Sequence, residues 1–122
     1  MRQDVNSDVQ AQLLRLKRGY LQRLEKEFAE LCSLAEQTRN DHGRKAWRQI
    51  RERLHRLAGS AGTFGIIELG NRCRRLERRL DTALQAEDDH ELAAIRQAVC
   101  ELDANPQAGL ADFGDIESKP VS

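Results

Sequence analysis

The chain of 122 residues is 39% apolar and 33% charged, with five aromatic side chains and no net charge. That balance fits one modest helical domain and argues against a β-sandwich, a disordered segment or a membrane protein. No apolar run approaches the ~20 residues that span a bilayer, and the opening "MRQDVNSDVQAQ" lacks the apolar stretch of a secretory signal, so the cytoplasm is the expected location.

Four segments show a helical period. The first runs from about Asp8 to Gln37, with Ser7 as its expected N-cap and Leu13, Leu16, Tyr20, Leu24, Phe28, Leu31 and Ala35 on its core face. Gly19 is a candidate kink within it. "NDHG", residues 40–43, reads as a turn. The second helix carries Trp47, Ile50, Leu54, Leu57 and Ala61, and the third carries Ile66, Leu69, Cys73, Leu76, Leu80 and Ala83. "EDDH" breaks the pattern before a fourth helix with Leu92, Ile95, Val99 and Leu102, which Asn105 and Pro106 terminate. Short joins between amphipathic helices make neighbours antiparallel, so the expected fold is all-α, an antiparallel up-down four-helix bundle over residues 1–104. Residues 105–122, "NPQAGLADFGDIESKPVS", are polar, acidic and aperiodic, and read as a flexible tail or linker.

Cys32, Cys73 and Cys100 form no C-x-x-C pair, and each falls within a helical apolar pattern. They are expected to be three small buried hydrophobes in a reducing compartment rather than metal or redox groups.

The net charge of zero hides a segregation. Residues 44–79 hold eleven Lys or Arg against Glu52, Glu68 and Glu77, whereas residues 80–122 hold ten acidic groups against two basic ones. Either the middle segment meets an acidic partner, or the two segments neutralise each other inside the fold.

Within "LHRLAGSAGTFG", residues 54–65, three glycines interrupt a helical pattern, although each glycine in a helix interior forfeits about 1 kcal/mol relative to alanine. At about 100° per residue, His55 lies roughly 120° from the core direction of its helix, on the surface. Gly59 and Gly62 follow it on that face, and Arg51 and Arg48 precede it. An exposed imidazole thus has bare backbone on one side, open to close approach, and guanidinium groups suited to phosphate on the other. His42 and His90 read as turn and capping residues.

"HRLAGSAGTFG" resembles the signature H-x-L-(K/R)-G-(S/A)-(S/A)-x-x-(F/L/I)-G of histidine phosphotransfer (HPt) domains, and "ELGNRCRRLE" resembles the stretch that follows it there. The resemblance extends over roughly residues 9–103. It implies a four-helix bundle without an ATP site of its own, a phosphocarrier rather than an enzyme, in which His55 accepts a phosphoryl group from a receiver-domain aspartate and passes it to another. It implies that Gly59 lets the receiver come close, and that Leu57, Ser60, Ala61, Phe64 and Gly65 pack the helix and turn it into the next. The implied partner is a response-regulator receiver domain, alone or within a hybrid kinase or multidomain regulator. That receiver would bring the Mg²⁺, and the chain itself would need no cofactor or metal. One position departs from the pattern, since Ala58 stands where the family usually has a lysine beside the phosphoryl group; Arg51 and Arg56 are the candidate replacements. The alternatives are a degenerate domain that docks a receiver without transfer, and a basic helical protein that tracks nucleic-acid phosphates with Arg72, Arg74, Arg75, Arg78 and Arg79.

Overall fold

The computed structural model describes residues 2–41 and 43–104, with side chains from residue 7 onward. They form α1 (Arg2–Gln37), α2 (Gly43–Thr63), α3 (Ile67–Ala86) and α4 (Asp89–Ala104). Each helix packs on its sequence neighbours, and α4 closes the ring against α1, as an up-down bundle requires. The expected turn residue His42, the terminators Asn105 and Pro106, and the tail all lie outside the described residues.

Apolar residues recurring at steps of three and four give each helix one stripe, and the four stripes meet on the bundle axis. Leu24, Phe28, Leu31, Ile50, Leu54, Ile66, Leu69, Leu80, Ile95 and Val99 are fully buried there. Each such side chain contributes about 1.5–3 kcal/mol of transfer free energy.

The turns set how the helices face one another. At the end of α2 the Ile66 amide donates to the Ala61 carbonyl at 2.8 Å and the Gly65 amide to the Gly62 carbonyl at 3.1 Å, with Gly65 at φ +77°. This is a Schellman closure, in which a left-handed residue satisfies the last carbonyls and reverses the chain. The α3–α4 turn repeats it, with amides of Asp88 and Glu87 reaching Ala83 and Leu84 and Glu87 at φ 52°. Asp88 Oδ1 then accepts from the Glu91 amide at 3.0 Å, capping α4. Between α1 and α2, the Thr38 hydroxyl donates to the Ala35 carbonyl and accepts from Arg96 Nε at 2.8 Å. The Arg96 guanidinium lies 5.6 Å from the centre of the Trp47 ring.

Several expectations are corrected. Ser7 is not an N-cap, because α1 already begins at Arg2, and the helix runs through Gly19 without interruption. Leu13 and Leu16 are not core residues, since α1 outruns the other helices and both are more than half exposed. Ile66 precedes α3, although its side chain is buried. The cap of α4 is Asp88, and His90 is an exposed residue in the first turn.

The cysteines also divide differently. Cys73 is a buried free thiol, and burial pushes it up to about 12, so it is inert. Cys32 and Cys100 are only half-buried and form a disulfide that ties α1 to α4 across a Cα–Cα distance of 4.5 Å. Sequence spacing concealed the pair because 68 positions separate them and only the α1–α4 packing brings them together.

Two outcomes follow from these contacts. Urea unfolding is expected to lose about 2–4 kcal/mol of stability on reduction of Cys32–Cys100, with helical content retained; identical midpoints with and without reductant would contradict the pairing. Gly43→Ala is expected to destabilise by about 1–3 kcal/mol, because a Cβ there would stand 2.6 Å from the Thr38 carbonyl oxygen.

Candidate functional site

Helices α2 and α3 run antiparallel from the Gly65 turn, so a step back of one turn along α2 matches a step forward of one turn along α3. On one edge of the pair this register aligns His55 with Glu77, Arg51 with Asp81, and Arg44 with Glu87. The edge is therefore a ladder of basic groups from α2 facing acidic groups from α3 and, at Glu87, from the turn that follows it.

The His55 side chain is 75% exposed and that of Glu77 only 16%. Nδ1 of His55 lies 3.1 Å from Glu77 Oε2 and 3.4 Å from Oε1. A carboxylate can only accept, so the neutral imidazole donates from Nδ1–H and Nε2 keeps its lone pair. The geometry thus orients the ring and selects its tautomer. Arg51, Glu52, His55, Arg56 and Glu77 line one shallow cleft.

The arginines are not equivalent. Arg51 makes a two-point contact with Asp81, Nε to Oδ1 and Nη2 to Oδ2 at 3.4 Å. The hydrogen bond to Asp81, reinforced by that carboxylate's charge, raises Arg51 above the usual guanidinium range. It is therefore a committed partner of Asp81 rather than a free counter-charge for His55. Arg56 shares the cleft with His55 and makes no ion pair among the described residues. Arg48 is not brought to the histidine; it lines a separate groove with Arg44, Trp47, Leu84, Glu87, Asp89 and Leu92.

Ala58 lies between the surface and the core on the helical wheel, and the structure resolves the question. It is 4% exposed, part of the hydrophobic cluster, with its carbonyl against Gly70 of α3. A longer side chain there would have to thread outward along α3 before reaching the cleft. By contrast, a Cβ added at Gly59 or Gly62 would meet nothing within 4 Å. Internal packing does not demand either glycine.

The other side of α2 is anchored to α1. Tyr20 Oη and Ser60 Oγ are 2.5 Å apart, and the Tyr20 and Phe64 rings stack with centroids 4.3 Å apart. Burial raises the Tyr20 hydroxyl above its ordinary value, against the opposing effect of the Ser60 hydrogen bond. Arg53 pairs with Glu27 at 3.0 Å and Glu30 at 3.6 Å. These contacts hold the helix that carries His55 from behind. Of the arginine stripe on α3, Arg75 pairs with Glu68, Arg79 with Glu91, and Arg74 bonds to Asn71. Three of its guanidinium groups are thus engaged within the fold.

Glu77 is the residue that sequence reasoning missed. Its own helix says only that it lies beside Leu76 and Leu80; the tie to His55 needs the α2–α3 register, which depends on where the turn falls.

The family model described as the Hpt domain matches residues 8–105. No curated protein and no solved structure matches the chain. Members of the Hpt family are phosphocarriers rather than catalytic enzymes; they serve phosphorelay signalling in two-component systems and interact with the receiver domains of response regulators. The match takes in all four helices of the bundle, including the one that presents His55, and on that evidence the chain belongs to the Hpt domain family.

Proposed function

We propose that His55 is the phosphoryl-accepting residue and that the chain relays a phosphoryl group between receiver aspartates. The observation that carries this reading is an exposed imidazole whose Nδ1 is held by Glu77, flanked on its outer face by two glycines with open space before them. The Nε2 lone pair attacks the phosphorus of an aspartyl phosphate. The new N–P bond forms as the P–O bond breaks, and the aspartate leaves as its carboxylate. The ring keeps its Nδ1 proton and becomes cationic, and the Glu77 carboxylate stabilises that charge without a proton having to move. Attack by a second aspartate reverses the sequence. Arg56 is the basic group available to the phosphoryl oxygens, and Gly59 and Gly62 leave room for the receiver. The acidic pocket and Mg²⁺ belong to that receiver, and the chain brings neither a cofactor nor an ATP site to the reaction.

No helix among the described residues is long and apolar enough to cross a membrane. The reading places the chain in the cytoplasm, and the Cys32–Cys100 disulfide is the observation that weighs against that location, because such bonds are rare in reducing compartments.

Incubation with a phosphorylated receiver is expected to leave an acid-labile, base-stable phosphoryl group on the chain. His55→Gln should abolish it, and His42→Gln and His90→Gln should not. Label retained on the His55→Gln protein would overturn the assignment; a wild-type chain that binds the receiver but takes no label would favour docking without transfer.

Glu77 acts here as a positioning residue, and its role is separable from folding. Glu77→Gln is expected to keep the thermal midpoint nearly unchanged, since the amide keeps the size and shape of the carboxylate, while phosphotransfer slows. The ¹⁵N shifts of the His55 ring should move toward a mixed tautomer population, a signature that a purely structural role would not produce.

Gly59→Ala is expected to raise stability by up to about 1 kcal/mol, through helix propensity in an open position. Gly59→Val should slow transfer sharply while preserving the helical signal. If both variants transfer at the wild-type rate, close approach at this glycine plays no part.

A further inference from the structure

Helix α1 has 36 residues, against 21, 20 and 16 in the others, so at ~1.5 Å per residue it overhangs the bundle by several turns. The overhang stands at the end of the bundle where α2 turns into α3 and where α4 stops. It continues the same stripe that is buried from Tyr20 onward, yet Val9, Leu13 and Leu16 are 49%, 51% and 59% exposed. Ile67, at the start of α3 on that same end, is 66% exposed. Between residues 9 and 19 the overhang has no acidic residue and carries Arg15, Lys17 and Arg18. The result is an apolar seam edged by positive charge.

We propose that this seam is the docking surface of the chain's own segment 110–117, "LADFGDIE". Three observations on different levels point to it. The segment interleaves Leu110, Phe113 and Ile116 with Asp112, Asp115 and Glu117 and contains no basic residue, which complements the overhang in both hydropathy and charge. The chain also leaves the bundle in the right direction. Arg96 on Thr38 and Cys100 on Cys32 show that α4 advances as α1 recedes, so Ala104 opens toward the N-terminal half of α1. Reach is sufficient as well: from the level of Phe28 to Leu16 and Val9 is ~18–28 Å along α1, and the 6–12 residues from Ala104 to Leu110 and Ile116 extend ~20–40 Å. Docking would bury the apolar faces of both partners and cap the open end of the core, away from His55 on the flank of α2. It therefore stands independently of the phosphotransfer reading.

Hydrogen exchange by mass spectrometry on the full chain tests it, with the wild type compared with Phe113→Asp and Leu13→Asp. Leu13 is half exposed and Phe113 lies outside the described bundle residues, and protection within α2 and α3 will report whether the bundle stays folded in each variant. Segment 110–117 is expected to exchange about tenfold or more slowly than an unstructured chain in the wild type. That protection should disappear in Leu13→Asp, and residues 9–18 should lose protection in Phe113→Asp. The double charge reversal Arg15→Glu with Arg18→Glu should weaken docking, and adding Asp112→Lys with Asp115→Lys should restore it. Segment 110–117 exchanging at the unstructured rate in the wild type would overturn the proposal. So would protection of residues 9–18 that is indifferent to Phe113→Asp but rises with protein concentration alongside a dimeric mass, which would assign the seam to a second copy.

Discussion

The antiparallel register of α2 and α3 is the constraint on which the site depends. Gly65 in a left-handed conformation and the two closing hydrogen bonds from Gly65 and Ile66 end one helix and start the other within three residues. With so short a join there is little freedom to slide one helix along its neighbour, and burial of Ile66 and Leu69 beside Ala61 fixes the remaining rotation. Once that pairing is set, Glu77 must sit under His55 and Asp81 under Arg51. An imidazole that elsewhere would be an ordinary solvated side chain becomes an oriented one with a defined free nitrogen.

The same register governs the electrostatics. Much of the positive charge of the middle segment is answered from within the fold, by Asp81, Glu87 and Glu91 as well as Glu27, Glu30 and Glu68. Most of these pairs are exposed, and exposed pairs contribute little to stability. Their larger effect is to narrow what is available to a partner. Arg51 is held by Asp81, which leaves Arg56 as the guanidinium beside the histidine that makes no ion pair among the described residues. Local neutralisation is thus what the fold displays for most of these arginines, and Arg56 is the one beside His55 that it leaves outside those pairs.

The glycines separate in a similar way. Gly43 and Gly65 are needed by the chain itself, one for the close approach of the Thr38 carbonyl and one for a positive φ. Gly59 and Gly62 face open space, and the helix would be more stable without them. No internal contact accounts for these two glycines, and the proposed phosphotransfer role is what assigns their open space to the approach of a receiver.

The amino-acid sequence by itself determined the four amphipathic helices, the up-down bundle and the surface position of His55, because all of these follow from periodicity and angular position along single helices. It also sufficed to pick out the motif around His55, where local spacing carries the information. Only the tertiary structure decided which side chains meet across helices: Glu77 on His55, Asp81 on Arg51, and Cys32 on Cys100. It likewise settled Ala58, which the wheel leaves at the edge of the core and which packing against Gly70 buries. Leu13 and Leu16 mark the converse case, where a continuous apolar stripe predicts burial but α2 has already turned away. Periodicity reports which face of a helix can be buried, and the lengths and register of its neighbours decide where along that face a partner actually stands.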